Sequence, residues 1–397
     1  MHSNQSLCPL CGSTRLKAVI TIQNVPVYCN VLWTTPQQAL GASRAHLDLY
    51  YCQSCDHIFN SAFDSKLIDY APSYENALHF SAGFCEYAQQ LALQLVQRYN
   101  LYSKTIVEVG CGDGYFLSLL CEAGANRGVG YDPSCQPCCK ALSGGGHLTL
   151  LSQCFDAKNS AVDADLVVCR HVLEHIPKPR PFLADILAAA GRNATMAIYC
   201  EVPDVTWTLK DRGIWDLIYE HCNYFGPASL RYLFEQAGLR VDSVQRRFGG
   251  QFLSIEALYQ PLQSSQAKHN RTQPGAVDSI ECHIEPFAHT WHTKVSLWRE
   301  HLSEFKRGQQ RIALWGAGSK GVTFLNVLGA SDHVGSVVDV NKRKWGKYLP
   351  GTAQEVLSPQ ALRTAQPDSV LVMNRNYLPE IELALKSQNI ICDVLTV

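Results

Sequence analysis

The chain has 397 residues, 46% hydrophobic and 17% charged, which is long enough for two or three packed domains and too apolar for disorder. Its 34 basic and 35 acidic residues leave a net charge of −1, so no cationic surplus exists for a phosphate backbone and nucleic acid is excluded as the expected partner. No apolar run of ~20 residues could span a membrane, residues 1–10 lack the order of a signal peptide, and 17 cysteines spread over so large a chain point to free thiols in a reducing cytoplasm.

In chain order, residues 1–70 come first. They hold Cys8-Pro-Leu-Cys11 and Cys52-Gln-Ser-Cys55, two CxxC pairs about 40 residues apart, with β-branched and aromatic runs at 17–25 and 46–51 between them. Each pair presents two thiolates from one tight turn, and four sulfurs complete a tetrahedral shell, so the spacing predicts a closed, structural zinc site rather than a catalytic one. A redox pair would open a helix in a βαβ unit, and neither pair does. Next, Phe84, Tyr87, Leu91 and Leu95 recur at helical spacing within residues 80–99. Strands are predicted at 105–109, 128–132, 166–169 and 196–202, with helices at 114–123 and 181–190. Such alternation implies a parallel sheet covered on both faces. Residues 260–278 read as a polar linker, and 281–306 as a long amphipathic helix carrying His283, His289 and His292 as ordinary surface residues. The alternation then restarts at 311–315, 323–328, 335–340 and 369–373, a second, smaller α/β unit. The expected domains are 1–70 (zinc-binding), 71–260 (catalytic core) and 280–397 (Rossmann-like).

The strongest catalytic signal is Glu108-Val109-Gly110-Cys111-Gly112-Asp113-Gly114, where an apolar strand runs through glycines into a helix. Glycines let a ligand lie against the backbone, and the helix N-terminus offers free N–H groups. Gly-rich turns of this kind also bind dinucleotides. The E-x-G-x-G-x-G pattern resembles motif I of the class I methyltransferases, which use S-adenosylmethionine. About 18 residues after Gly114 the next strand ends in Asp132, a carboxylate able to accept both ribose hydroxyls. Phe155-Asp156 stands where that family places its adenine contacts. Residues 167–177, with His171 and Leu173-Glu174-His175, resemble the family's fourth motif. The resemblance implies cofactor contacts at Glu108, Gly110, Gly112, Gly114, Asp132, Phe155 and His171. Cys135, Cys138 and Cys139 are expected to be packing cysteines on the loop and helix after Asp132.

Paired CxxC motifs, this core and a C-terminal α/β unit together resemble the zinc-containing sugar C-methyltransferases, whose members act on nucleotide-linked keto-deoxysugars. Tyr74 resembles the family tyrosine over the reacting methyl group, Glu220-His221-Cys-Asn-Tyr224-Phe resembles its E-H-x-x-Y-F segment, and Gly249-Gly250 its Gly-Gly turn. Two features depart from the family: Tyr219 replaces a histidine, and Phe248 and Gln251 flank the turn in place of histidine and serine. Methyl transfer is an in-line displacement, so donor and acceptor must be held aligned. For a carbon beside a ketone, a base must remove a proton and the enolate must be stabilised. His221 is the expected base, with Glu220 orienting it or holding a substrate hydroxyl and Tyr219 or Tyr224 donating to the oxyanion. His175 is either a pocket residue or a fold-holding one. The acceptor could instead be oxygen or nitrogen on another small metabolite, or the chain could be a zinc-knuckle protein that only senses S-adenosylmethionine.

Gly316-Ala-Gly318-Ser-Lys-Gly321 follows a strand and opens a helix, a G-x-G-x-x-G pattern. It is expected to cup the nucleotide end of the substrate, with Lys320 or Lys342 meeting the diphosphate. A structural role and NAD binding are the other readings. A cleft closed within one chain needs no second subunit, so a monomer is expected.

Overall fold

The computed structural model describes residues 7–68, 74–156, 162–188, 195–211, 213–259 and 279–397. The expected linker, 260–278, and the last two residues of the helix expected at 181–190 lie outside them.

Strand β1 (Leu16–Pro26), helix α1 (Pro36–Leu40), and strands β2 (Arg44–Cys52) and β3 (His57–Asn60) form an antiparallel meander. The cysteine pairs occupy the turns at one end of it. Helix α2 (Ala82–Arg98) follows, started by the Ser81 side chain accepting from the Phe84 N–H, and buries Phe84, Leu91 and Leu95 on one face.

The central sheet is built from β4 (Thr105–Val109), α3 (Tyr115–Gly124), β5 (Arg127–Tyr131), β6 (Cys138–Ala141), β7 (His147–Leu151), β8 (Leu166–Arg170), α4 (Pro179–Ala188), β9 (Ala197–Pro203), α5 (Val205–Lys210), β10 (Asn223–Tyr224), α6 (Pro227–Gln236), β11 (Arg240–Arg247) and β12 (Phe252–Leu258). Its order is β11-β12-β9-β8-β4-β5-β7-β6, and β10 instead joins β3 in the N-terminal sheet. The five inner strands from β9 to β7 are parallel, while β6 at one edge and β12, next to edge strand β11, run antiparallel to them. The sheet is therefore mixed rather than wholly parallel. Cys138 and Cys139 lie on edge strand β6, not on the expected helix. Strand order reverses at β4, so the crevice beyond its C-terminal end is where an open α/β sheet binds its ligand.

The C-terminal unit comprises α7 (Glu281–Arg307), β13 (Ile312–Trp315), α8 (Ser319–Leu328), β14 (Ser336–Val338), β15 (Val356–Leu357), α9 (Leu362–Ala365), β16 (Ser369–Val372), α10 (Leu378–Ser387) and β17 (Asp393–Thr396). Its five-stranded parallel sheet has the order β15-β14-β13-β16-β17, and its own reversal falls at β13. Helix α7 buries Ile284, Phe287, Trp291, Val295, Trp298 and Leu302, a stripe at steps of three and four. That stripe, β1, residues 205–224 and the C-terminal sheet share one apolar core, with Trp215 packed edge-on to Phe324. The two halves of the chain are thus joined through buried surface.

Candidate active site

After β4, Gly110, Gly112 and Gly114 all have left-handed φ, at 74°, 52° and 79°. A Cβ on Gly110 would lie 2.1 Å from Val172 Cγ2, whereas one on Gly112 would meet nothing within 4 Å. The turn is thus packed from behind and open in front, which fits a ligand laid against its backbone. The Gly112 N–H donates to Asp132 Oδ2 at 2.9 Å, and Phe155 packs edge-on to Tyr131 at 5.3 Å. Glu108 sits beneath the turn, where burial lifts its carboxyl to about 8 against the pull of Arg170. Replacing Gly110 by Ala adds ~1–2 kcal/mol of left-handed strain to the clash, so S-adenosylmethionine affinity is expected to fall roughly tenfold or more. Isothermal titration of the folded variant measures this, and unchanged affinity would contradict the placement.

A cleft enclosing about 1610 Å³, open mouth included, lies between the central and C-terminal sheets. On the core side it is lined by Tyr74, His171, Glu174, His175, His221 and Tyr224, and opposite by Gly316, Gly318, Lys320, Gly321 and Lys344. The turn after β4 packs on Val172, the neighbour of the lining residue His171. Leu78 and Phe80 also line the cleft, and His79 between them stacks on Tyr115 at 4.5 Å.

Four expected roles need correction. Tyr219 is absent from the lining: it is buried on the N-terminal side, accepts from the Asp64 N–H at 2.8 Å and stacks on Phe63. Tyr224 presents its ring to the cleft, but its hydroxyl donates to Ile218 O at 2.9 Å and accepts from Ile218 N–H at 3.2 Å. Neither phenol is therefore placed to hold an oxyanion. Glu220 is fully buried outside the lining and accepts from the Cys29 N–H at 2.9 Å, and burial raises its carboxyl to about 8. Its backbone carbonyl accepts from His175 Nδ1 at 3.0 Å, and its carboxylate bonds Tyr74, so it positions those two rings rather than His221. Lys342 is exposed and outside the lining; Lys344 takes that place, 3.2 Å from Asp339 Oδ2.

His221 and His175 stand 4.8 Å apart, centroid to centroid. Burial holds both imidazoles neutral, His175 down to about 4 and His221 well below the usual range, where the neighbouring His175 and His171 add to the effect.

The sequence reading passed over a polar network under this site. Glu201, at the end of β9, is fully buried and accepts from Arg170 Nε and Nη2 at 3.0 and 2.8 Å, from Tyr199 at 2.8 Å, and from Tyr87. Burial alone would raise its carboxyl, but Arg170 and His171 overcome this and hold it ionised. Arg170 also lies 4.2 Å over the Phe116 ring. The only sequence signal was an acid and a base, one each, at the ends of two apolar strands.

At the other end of the N-terminal sheet, Cys8, Cys11, Cys52 and Cys55 place their sulfurs within 4.8 Å of one another. Cys8–Cys55 and Cys11–Cys52 are each 3.5 Å apart. A tetrahedral shell with ~2.3 Å metal–sulfur bonds has edges of ~3.8 Å, so the four thiols fit such an ion.

Residues 84–244 match the family described as "Methyltransferase domain", and residues 264–390 the "C-methyltransferase C-terminal domain". The C-methyltransferase NovU of Streptomyces niveus is 25% identical over 395 residues, covering 94% of this chain and 90% of that protein. A ubiquinone biosynthesis O-methyltransferase of Coxiella burnetii (strain RSA 493 / Nine Mile phase I) is 26% identical over 161 residues, 36% of this chain and 67% of that one. Among solved structures, magnesium protoporphyrin IX methyltransferase from Synechocystis PCC 6803 with bound SAH aligns with a TM-score of 0.34 at 17% identity, covering 44% of this chain and 83% of that one. With the C-terminal domain matched as well as the core, and likeness to NovU running nearly end to end, the chain is an S-adenosylmethionine-dependent methyltransferase that is similar to the C-methyltransferases along almost its whole length.

Proposed function

We propose that the enzyme methylates carbon beside the ketone of a nucleotide-linked keto-deoxysugar, and that a structural zinc ion fills the four-cysteine site. The observation that carries the reading is the single cleft with two neutral imidazoles on one wall and a glycine turn opening α8 on the other. S-adenosylmethionine supplies an electrophilic methyl group. His221 removes the α-proton, Tyr74 with Glu220 and Asn30 behind it closes the pocket, and the aromatic walls exclude water. The nucleotide end lies toward β13, where the unpaired N–H groups of α8 and Lys320 receive the diphosphate.

Lys320 currently pairs with Asp216 at 3.0 Å. A diphosphate competes for that ammonium, and a charge-assisted hydrogen bond contributes ~1.5–3 kcal/mol. Lys320→Ala is therefore expected to raise KM for the nucleotide-sugar by ~10- to 100-fold, and Lys342→Ala to leave it unchanged. Equal effects would remove Lys320 from the diphosphate site. Stabilisation by NAD alone in a thermal-shift assay would instead favour a second cofactor there.

The deciding experiment is mass spectrometry with deuterated-methyl S-adenosylmethionine and a panel of nucleotide-linked 4-keto-deoxysugars. A labelled product with the methyl located on carbon by NMR supports the reading. Bound S-adenosylmethionine with no product across the panel sinks the sugar assignment and moves the search to oxygen and nitrogen acceptors.

A further inference from the structure

An enolate needs a hydrogen-bond donor as well as a base, and the structure commits both expected tyrosines elsewhere. Tyr219 faces away from the cleft, and Tyr224 spends its hydroxyl on Ile218. One other lining group has an oxygen to spare. Glu174, in the short turn after β8, is 2% exposed, and its Oε2 has no hydrogen-bonding partner among the described residues. A carboxylate oxygen of Glu174, a ring nitrogen of His175 and one of His221 all lie within 4.8 Å of one another. Groups that close can serve two adjacent substrate atoms at once, each within the ~2.6–3.2 Å of a hydrogen bond.

We infer that Glu174 is a further catalytic residue, a protonated carboxyl that donates to the acceptor's carbonyl oxygen while His221 takes the neighbouring α-proton. This rests on the enolate reading given above. The α-carbon–hydrogen bond breaks, the proton goes to His221, and the electron pair forms the carbon–carbon double bond as the carbonyl pair moves onto oxygen. Glu174 keeps its proton and holds that oxygen by its O–H. The enolate carbon then takes the methyl group from the sulfonium, which leaves as a thioether, and the carbonyl re-forms.

The surroundings keep the proton on Glu174. Burial raises its carboxyl to about 8, the charge of Glu201 adds to this, and its own backbone N–H opposes it. The titratable groups facing it are His171, with Nδ1 at 3.8 Å, His175, His221, Glu201 and the thiols of Cys200 and Cys222. Burial also holds His175 and His221 neutral, while the charge of Glu201 raises the Glu174 carboxyl further. A buried acid kept neutral at pH 7 can donate where an ionised one could only accept.

The test uses the full-length zinc-loaded enzyme, a methylated keto-sugar and two variants. Glu174→Ala is expected to lower kcat by ~10²-fold, the lower end of the cost of one oxyanion donor, with S-adenosylmethionine binding retained. Glu174→Gln, still a neutral donor, should stay within tenfold of wild type. Wild-type activity should fall as pH rises through about 8, where the carboxyl ionises, and Glu174→Gln should lack that fall. Should Glu174→Ala not fold, the pH comparison with Glu174→Gln decides. Retention of the alkaline fall in Glu174→Gln, or wild-type turnover in Glu174→Ala, overturns the role. So does a second equivalent of metal in wild type that both variants lack, with both equally inactive at wild-type melting temperature, which would make the triad a metal site. A wild-type enzyme that neither exchanges the α-proton with deuterated water nor methylates any keto-sugar overturns the enolate reading itself. One that does both while Glu174→Ala matches it overturns the Glu174 role alone.

Discussion

Replacing His221 by Asn is expected to lower kcat by ~10²- to 10⁴-fold, the usual contribution of a positioned general base, while leaving S-adenosylmethionine affinity and the melting temperature near wild type. Neither ring nitrogen of His221 has a hydrogen-bonding partner among the described residues, and the ring lines the cleft 5.9 Å from Tyr224. A histidine held only for structure would show the reverse pattern, with stability lost and turnover per folded molecule kept. The pH profile adds a second check. An ordinary imidazole becomes half protonated near pH 6.5. Burial, then His175 and His171, push His221 well below that. A base must be neutral to accept a proton, so a depressed value keeps it competent as pH falls. kcat/KM is therefore expected to stay flat from pH 7.5 down to 6, with no loss centred near 6.5. Its conjugate acid, disfavoured in the empty cleft, is stabilised as the enolate forms beside it. A loss below tenfold in His221→Asn, or an acid limb at 6.5, removes His221 from the role.

What could be read from the residues alone follows a physical division. The cysteine pairs were legible because ligand spacing in a tight turn is local chemistry, and the sulfurs do converge. The turn at Gly110, Gly112 and Gly114 was legible because left-handed backbone selects glycine. Helix α7 was legible from a six-residue stripe at helical steps. Strand β11 was not, because an edge strand reading Arg-Val-Asp-Ser-Val-Gln-Arg-Arg carries the charges that protect a sheet edge and mask the alternation. Tyr219 and Glu220 precede His221 directly, yet only His221 faces the cleft, since which way each side chain points in an irregular segment is settled by distant partners such as Cys29 and Asp64. The same applies to Lys342 and Lys344, where a two-residue difference separates an exposed lysine from a buried one. Glu174 was overlooked as chemistry because its place beside three histidines is a tertiary fact.

Removing the metal is expected to unfold far more than the N-terminal turns. Cys8, Leu10, Cys52 and Cys55 belong to the same apolar cluster as Val107 of β4, Phe225, and Leu233 and Phe234 of α6. The N-terminal sheet also takes β10 from the middle of the chain, two residues past His221. Its register therefore helps to set where the proposed base stands. Zinc in small thiolate sites binds with an apparent ~10–16 kcal/mol, as large as the whole stability of a typical domain at ~5–15 kcal/mol. Three buried thiols and the half-buried Cys11 would, without an ion, have only weak S–H contacts in place of that. Metal analysis of the purified protein should give about one zinc per chain. Cys52→Ser, which removes a ligand from the fully buried end of β2, should leave mostly insoluble protein or lower the melting temperature by well over ten degrees. Slow chelation of wild type should abolish methyl transfer together with the near-UV circular dichroism of Trp215, whose core is shared with β1. If activity is lost while the spectrum and melting temperature stay intact, the metal is acting in the chemistry and not in the fold. Less than half an equivalent of zinc, with no gain on reconstitution, would mean that the cysteines pack without an ion. The loss of stability in Cys52→Ser should then shrink to the few kcal/mol of an ordinary core substitution.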